Sequence, residues 1–212
     1  MGRLPSLGPT ARRRLSRLLQ AALAVMFVVG VATAYVALAV NAVLALAVTF
    51  VPNLLRRDVN VALGPGVTLA VAVAAFLHVV GMAGPYEHVW WWDHMTHALS
   101  ATMVAAAAWV AVHALNEFSE EVYIPEPFLS VWVLLFTLAA GVGWELAEFA
   151  ARALSGWAGV EPILVQYSVD DTLFDLVFDA VGAVVVSVAG GRRLRPLVDR
   201  VVETLTRRRD RL

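Results

Sequence analysis

Apolar residues run along this chain in long blocks, and short polar or Gly/Pro-containing breaks separate the blocks. The first block, Ala21 to Pro52, is almost wholly apolar. As a single helix it would be about 48 Å long at about 1.5 Å per residue, against a hydrocarbon core of about 30 Å. It is therefore expected to fold as two helices, 17–35 and 39–55, turning near Asn41. A third helix, 66–84, follows the breaker Gly64-Pro65-Gly66 and ends in "GMAGP". Three more are expected at 93–115, 127–150 and 171–190, with a break at Gly190-Gly191 and a basic tail over 191–212. The blocks do not alternate, which excludes a membrane β-barrel. The expected fold class is an all-α, polytopic membrane bundle of about six transmembrane helices in a single membrane domain, residues 1–212.

Composition agrees with that reading. The chain has 212 residues, 60% of them hydrophobic, with a mean hydropathy of +0.73, well above the apolar share of a soluble domain. The net charge of −1 gives no general attraction to nucleic acid. There is no cysteine, so disulfides, thiolate metal ligands and cysteine nucleophiles are excluded. All 16 basic residues are Arg. Arg3, Arg12, Arg13, Arg14 and Arg17 precede the first helix, Arg56 and Arg57 follow the second, and eight Arg lie between Arg192 and Arg211. With six helices all of these fall on one side of the membrane, and only Arg152 falls on the other. The positive-inside rule then places both termini in the cytoplasm. The expected location is the plasma (inner) membrane of a prokaryote. Arginines, an apolar run and "ATA" at Ala32 to Ala34 resemble a cleaved leader, but the apolar run continues far past that point and is read as a span.

Charge enters the spans in only a few places, and these converge. The stretch "WWWDHMTHALS" puts Asp93, His94 and His97 at the outer start of the fourth helix, with Asp93 and His97 four residues apart on one face. The fifth helix runs outward and carries Glu145 and Glu148 near its outer end. The sixth starts outside with Asp171, Asp175 and Asp179, a single stripe descending about 12 Å into the membrane. Ionisable groups inside a bilayer are costly and mark functional sites. Apart from Arg17, the first residue of the first span, no Lys or Arg lies inside any of the six expected spans. Imidazole from His94 and His97, Arg152, protons or a metal cation must therefore neutralise six carboxylates. Asp93, His97, Glu145, Glu148, Asp171 and Asp175 are the candidate metal ligands; His94, Asp179 and His78 are candidate accessory groups. Asp170 reads as an exposed helix N-terminal residue, His113 and Glu117 as an interfacial pair at the cytoplasmic end of the fourth helix, and Trp90 to Trp92 as part of an interfacial aromatic belt.

These motifs resemble those of the YjdF-like family of small, uncharacterised prokaryotic inner-membrane proteins. The resemblance rests on Asp93 and His97, on Trp144 with Glu145 and Glu148, and on Asp171, Thr172, Asp175 and Gly182, and it spans residues 20 to 190. His94 stands where the family often has a basic residue. Asp170, Leu173 and Phe174 also depart from its pattern. The resemblance implies the topology and the site; it implies no activity.

Carboxylates with imidazole suit a divalent Zn, Mn or Fe ion, and all-oxygen subsets suit Mg or Ca. A bound ion would activate water against a lipid-linked or small ionic substrate at the outer leaflet. No HExxH or paired ExxH motif is present. Two other function classes fit the same residues: a cation or proton-coupled transporter, and a structural or accessory membrane protein whose polar network ties helix ends together. Topology is directly testable. Gly159→Cys is expected to react with a membrane-impermeant maleimide on intact cells, and a reporter fused after Leu212 to be active only in the cytoplasm; labelling that requires permeabilised cells would overturn the six-span arrangement.

Overall fold

The structure is a computed structural model that describes residues 7–164 and 168–210. Arg3 and Arg211, counted above for topology, and residues 165–167 of the expected external loop lie outside the described residues. Among the described residues the regular structure is helical throughout: α1 Pro9–Ala32, α2 Val36–Val48, α3 Val51–Asp58, α4 Pro65–Met82, α5 Pro85–His88, α6 Trp92–Phe118, α7 Glu126–Ala158 and α8 Val169–Arg209. Six stretches are long and apolar enough to cross a membrane, α2 and α3 together forming one of them. The chain divides into two compact units. One comprises Met1–Asp58 with Ala62–His88, and the other Val59–Val61 with Val89–Leu212.

In the first unit, α1, α2 and α4 pack around Leu23, Leu38, Ala42, Ala45 and Val79. The break between α1 and α2 falls at Thr33–Tyr35, not near Asn41. The Thr33 hydroxyl donates back to Val29 O at 2.8 Å, and Ala34 takes a left-handed φ of 58° that ends the helix. Asn41 stays inside α2 because its amide donates to Ala37 O at 2.9 Å, satisfying a polar side chain within its own helix. Its Oδ1 also meets His78 Nε2 at 3.1 Å, and His78 Nδ1 meets the Tyr86 hydroxyl at 2.8 Å.

The second unit is built on α6 and α8, which run side by side in the same direction, with α7 antiparallel to both. Its core is Ala105, Trp109, Val110, Val112, Ala114, Leu129, Val133, Ala183, Val186 and Val198. The expected break at Gly190-Gly191 is absent: α8 continues to Arg209. The reason is tertiary. Leu194, Leu197, Val201 and Val202 on the extension pack against the same core, and Val198 is fully buried in it. Arg195 adds a two-pronged ion pair to Glu117 at 2.5 and 3.0 Å, and Arg209 lies over the Phe118 ring. Glu117 therefore forms its ion pair with α8 and not with His113, whose ring instead lies against Trp109, 3.8 Å between centroids and tilted by 32°. The segment remains basic, but it is a docked helix.

Close approach of α6 and α8 depends on Gly182. A Cβ there would stand 2.9 Å from both Ala98 O and Thr102 N, backbone atoms that cannot swing aside. Without water, helix association relies on such van der Waals contact between small residues. Gly182→Ala is therefore expected to lower stability by about 1–3 kcal/mol, read as a depressed melting temperature of detergent-purified protein. Gly143→Ala, where a Cβ meets open space, should melt like the wild type. Equal melting of both variants would show that the close α6–α8 packing does not contribute to stability.

Candidate metal centre

All the sequence-derived candidates except His78 lie on α6, α7 and α8, within the second unit. Asp93, His94 and His97 occupy the first turns of α6, where the tryptophans give way to helix. Glu145 and Glu148 lie on the C-terminal half of α7, and the antiparallel path of that helix brings them to the same end. Ser168 caps α8 by accepting the Asp171 amide at 3.0 Å. This fixes the start of the helix, so Asp171, Asp175 and Asp179 follow at four-residue intervals along one face. Asp170 is exposed and takes no part in the cluster.

His97 is the hub. Its Nε2 stands 3.9 Å from Asp93 Oδ1, 3.8 Å from Glu145 Oε1 and 3.9 Å from Asp175 Oδ2. These oxygens come from three different helices and lie at nearly equal range, too far for hydrogen bonds. The other ring nitrogen, Nδ1, faces Asp179 Oδ1 at 3.4 Å. A carboxylate on one imidazole nitrogen orients the ring and leaves the opposite nitrogen to bind a cation. Asp179 is able to sit there because α7 has glycine at 141; a Cβ at that position would collide with the Asp179 carboxylate. Asp175 and Asp179 are 2% and 4% exposed, and Glu145 is 5% exposed, so these groups are out of reach of bulk solvent. Glu145 Oε2 accepts the Thr172 hydroxyl at 2.7 Å. Among the described residues its Oε1 has no hydrogen-bond partner, the costly state for a buried polar atom.

Asp175 also faces a second imidazole. Its Oδ1 meets His94 Nδ1 at 2.8 Å. The His94 ring stacks flat on Phe178, 5.1 Å between centroids at an interplanar angle of 2°, with Phe174 and Trp90 at its edges. Two triads have ligand atoms within 4.8 Å of one another: Asp93, His97 and Asp175, and His94, Asp171 and Asp175. Glu148, one turn beyond Glu145, is half-buried and accepts the Trp144 indole N–H at 2.9 Å. His78 belongs to the first unit, between Asn41 and Tyr86.

The sequence points to the acidic and histidine positions but not to all of their supports. Thr172 enters the sequence reading only through the family resemblance, and Phe178 has no local signal at all. Its role depends on where the α6 imidazole falls against α8.

The family described as Predicted membrane protein (DUF2238) matches residues 15–196. The chain belongs to this family. The match covers all the residues of the cluster, and it is consistent with the YjdF-like resemblance. A curated Thermotoga maritima protein, described as an uncharacterized protein, is 28% identical over 116 residues, 54% of this chain and 56% of its own length. The chain thus spans about half the length of the curated relative it matches. No solved structure matches the chain.

In this DUF2238 member, the Thr172–Glu145 bond holds a buried carboxylate between α7 and α8. Thr172→Val is expected to cost about 1–3 kcal/mol, because both Glu145 oxygens would then be buried without hydrogen-bond donors. Pairing it with Glu145→Leu removes the stranded carboxylate and should restore part of that loss in thermal melts. Strict additivity of the two changes would show that the residues are not coupled.

Proposed function

We propose that this protein is a multi-pass protein of a prokaryotic plasma membrane, with both termini in the cytoplasm, that binds a divalent cation through the α6–α7–α8 cluster. The observation that carries this reading is the arrangement around His97 Nε2: three carboxylate oxygens at 3.8–3.9 Å, one of them buried and without a hydrogen-bond partner. A cation drawing these atoms inward would satisfy Glu145 Oε1 and cancel repulsion between carboxylates in a low-dielectric setting. Mixed imidazole and carboxylate donors favour Zn, Mn or Fe over Mg or Ca. Asp93, His97, Glu145 and Asp175 would hold the ion, with Asp171 and His94 beside them and Asp179 orienting His97.

The use of the ion follows from its position. A Lewis-acidic cation near the outer end of the spans can activate water against a membrane-associated substrate. Glu148, held by Trp144 and not needed by the triads, would act as the general base. The burial pattern argues against a cation path through the second unit. Beyond Asp179 the buried positions of α8 are Gly182, Ala183, Val186, Gly190 and Val198, so the acidic stripe has no buried polar continuation toward the other end.

Metal binding predicts a stability linkage. Added Zn(II) or Mn(II) should raise the melting temperature of chelator-treated protein, by an amount equivalent to about 2.7 kcal/mol when free metal is about 100-fold above its Kd. Glu145→Gln should abolish most of that rise, and the exposed control Val184→Ala should keep it. Identical melting of the wild type with chelator and with either metal overturns the proposal.

A further inference from the structure

Asp175 divides its carboxylate between two imidazoles. Oδ1 lies against His94 Nδ1 at 2.8 Å, and Oδ2 lies 3.9 Å from His97 Nε2. Both triads of potential ligands contain Asp175: one is completed by Asp93 and His97, the other by His94 and Asp171. Among the described residues no triad contains both histidines. A single ion would therefore occupy one half of the cluster and leave the other half's imidazole and carboxylate without it.

Building on the metal-site reading above, we infer that the cluster holds two divalent cations joined by the Asp175 carboxylate, one oxygen to each ion. The first ion takes His97, Asp93, Glu145 and Asp175 Oδ2. The second takes His94, Asp171 and Asp175 Oδ1. A carboxylate bridging through both oxygens suits the separation of about 3.5–4 Å typical of two-metal hydrolytic sites.

One feature supports the first ion, and two more support adding a second. Glu145 Oε1 is a buried acceptor without a hydrogen-bond partner among the described residues, on the His97 side of the bridge. On the other side, the His94 ring is clamped flat against Phe178, which fixes the nitrogen that faces Asp175. The charge balance also calls for more than one ion. Asp93, Glu145, Glu148, Asp171, Asp175 and Asp179 place six carboxylates at one end of three helices, against two imidazoles and, one turn past Glu148, Arg152. One divalent cation leaves most of that charge uncompensated in a setting where like charges repel strongly; two compensate most of it. The substrate class this favours is a phosphate-containing, membrane-associated molecule, because paired ions stabilise both the attacking and the leaving oxygen of an in-line displacement.

The test is metal loading of detergent-purified, full-length protein with Mn(II) after chelator treatment. The wild type should retain about two Mn(II) per chain by elemental analysis and show the multiline electron paramagnetic resonance spectrum of a coupled pair. His94→Ala should lower the retained metal twofold and give the six-line spectrum of an isolated ion. One Mn(II) per chain in the wild type, with a six-line spectrum, overturns the paired site and leaves the single-ion reading intact. Two ions without magnetic coupling overturn the Asp175 bridge, as does a coupled pair that persists in His94→Ala. No Mn(II) retained by the wild type overturns both this inference and the reading on which it rests. The count and the spectrum are read on the wild type, so they decide the matter even if the variant fails to fold.

Discussion

Within the second unit, the organisation depends on placing carboxylates where lipid and apolar side chains would otherwise surround them. A charge in such a setting has to be hydrogen-bonded, paired or neutralised, since no bulk water is there to solvate it. His97 meets this requirement with four carboxylates from three helices around one ring. The close packing of α6, α7 and α8 is the geometric counterpart. Gly182 lets the α8 backbone reach α6, and Gly141 leaves room on α7 for Asp179. Small residues in these helices thus have two effects at once. They supply the helix contact that a membrane protein needs, and they leave room for acidic side chains between the helices.

The second unit separates its polar work between its two ends. At the α6 N-terminus the ionisable groups are deeply buried around His97 and Asp175. At the other end Arg195, Glu117 and Asp199 form an exposed ion network, in which individual pairs contribute little stability. Between them lies an apolar core of Ala105, Val112, Val133, Ala183 and Val186. That apolar core separates the buried cluster from the exposed ion network.

Support around the cluster is unevenly distributed. Asp179, Thr172, Trp144 and Phe178 each hold one member: His97, Glu145, Glu148 and His94 respectively. Such surrounding contacts set imidazole tautomer and carboxylate orientation and tune whatever those groups bind. Glu145 Oε1 is the exception: among the described residues it has no hydrogen-bond donor, only the His97 ring at 3.8 Å.

Much of this was legible in the sequence for a definite physical reason. Long apolar runs have few ways to satisfy backbone polar groups in lipid, so helices, their number and their approximate spans follow from length and hydropathy alone. The i, i+4 spacing of Asp93 with His97, and of Asp171, Asp175 and Asp179, likewise fixes which side chains share a helix face. Tertiary structure decided what local pattern does not encode. It moved the first turn from Asn41 to Thr33–Tyr35. It carried α8 through Gly190-Gly191 and Pro196, because Val198 and its neighbours found a core to bury against. It gave Glu117 to Arg195 instead of His113, and it divided Asp175 between two histidines. Each of these depends on which residue of another helix comes to lie opposite, and the period of a single helix carries no record of its neighbours.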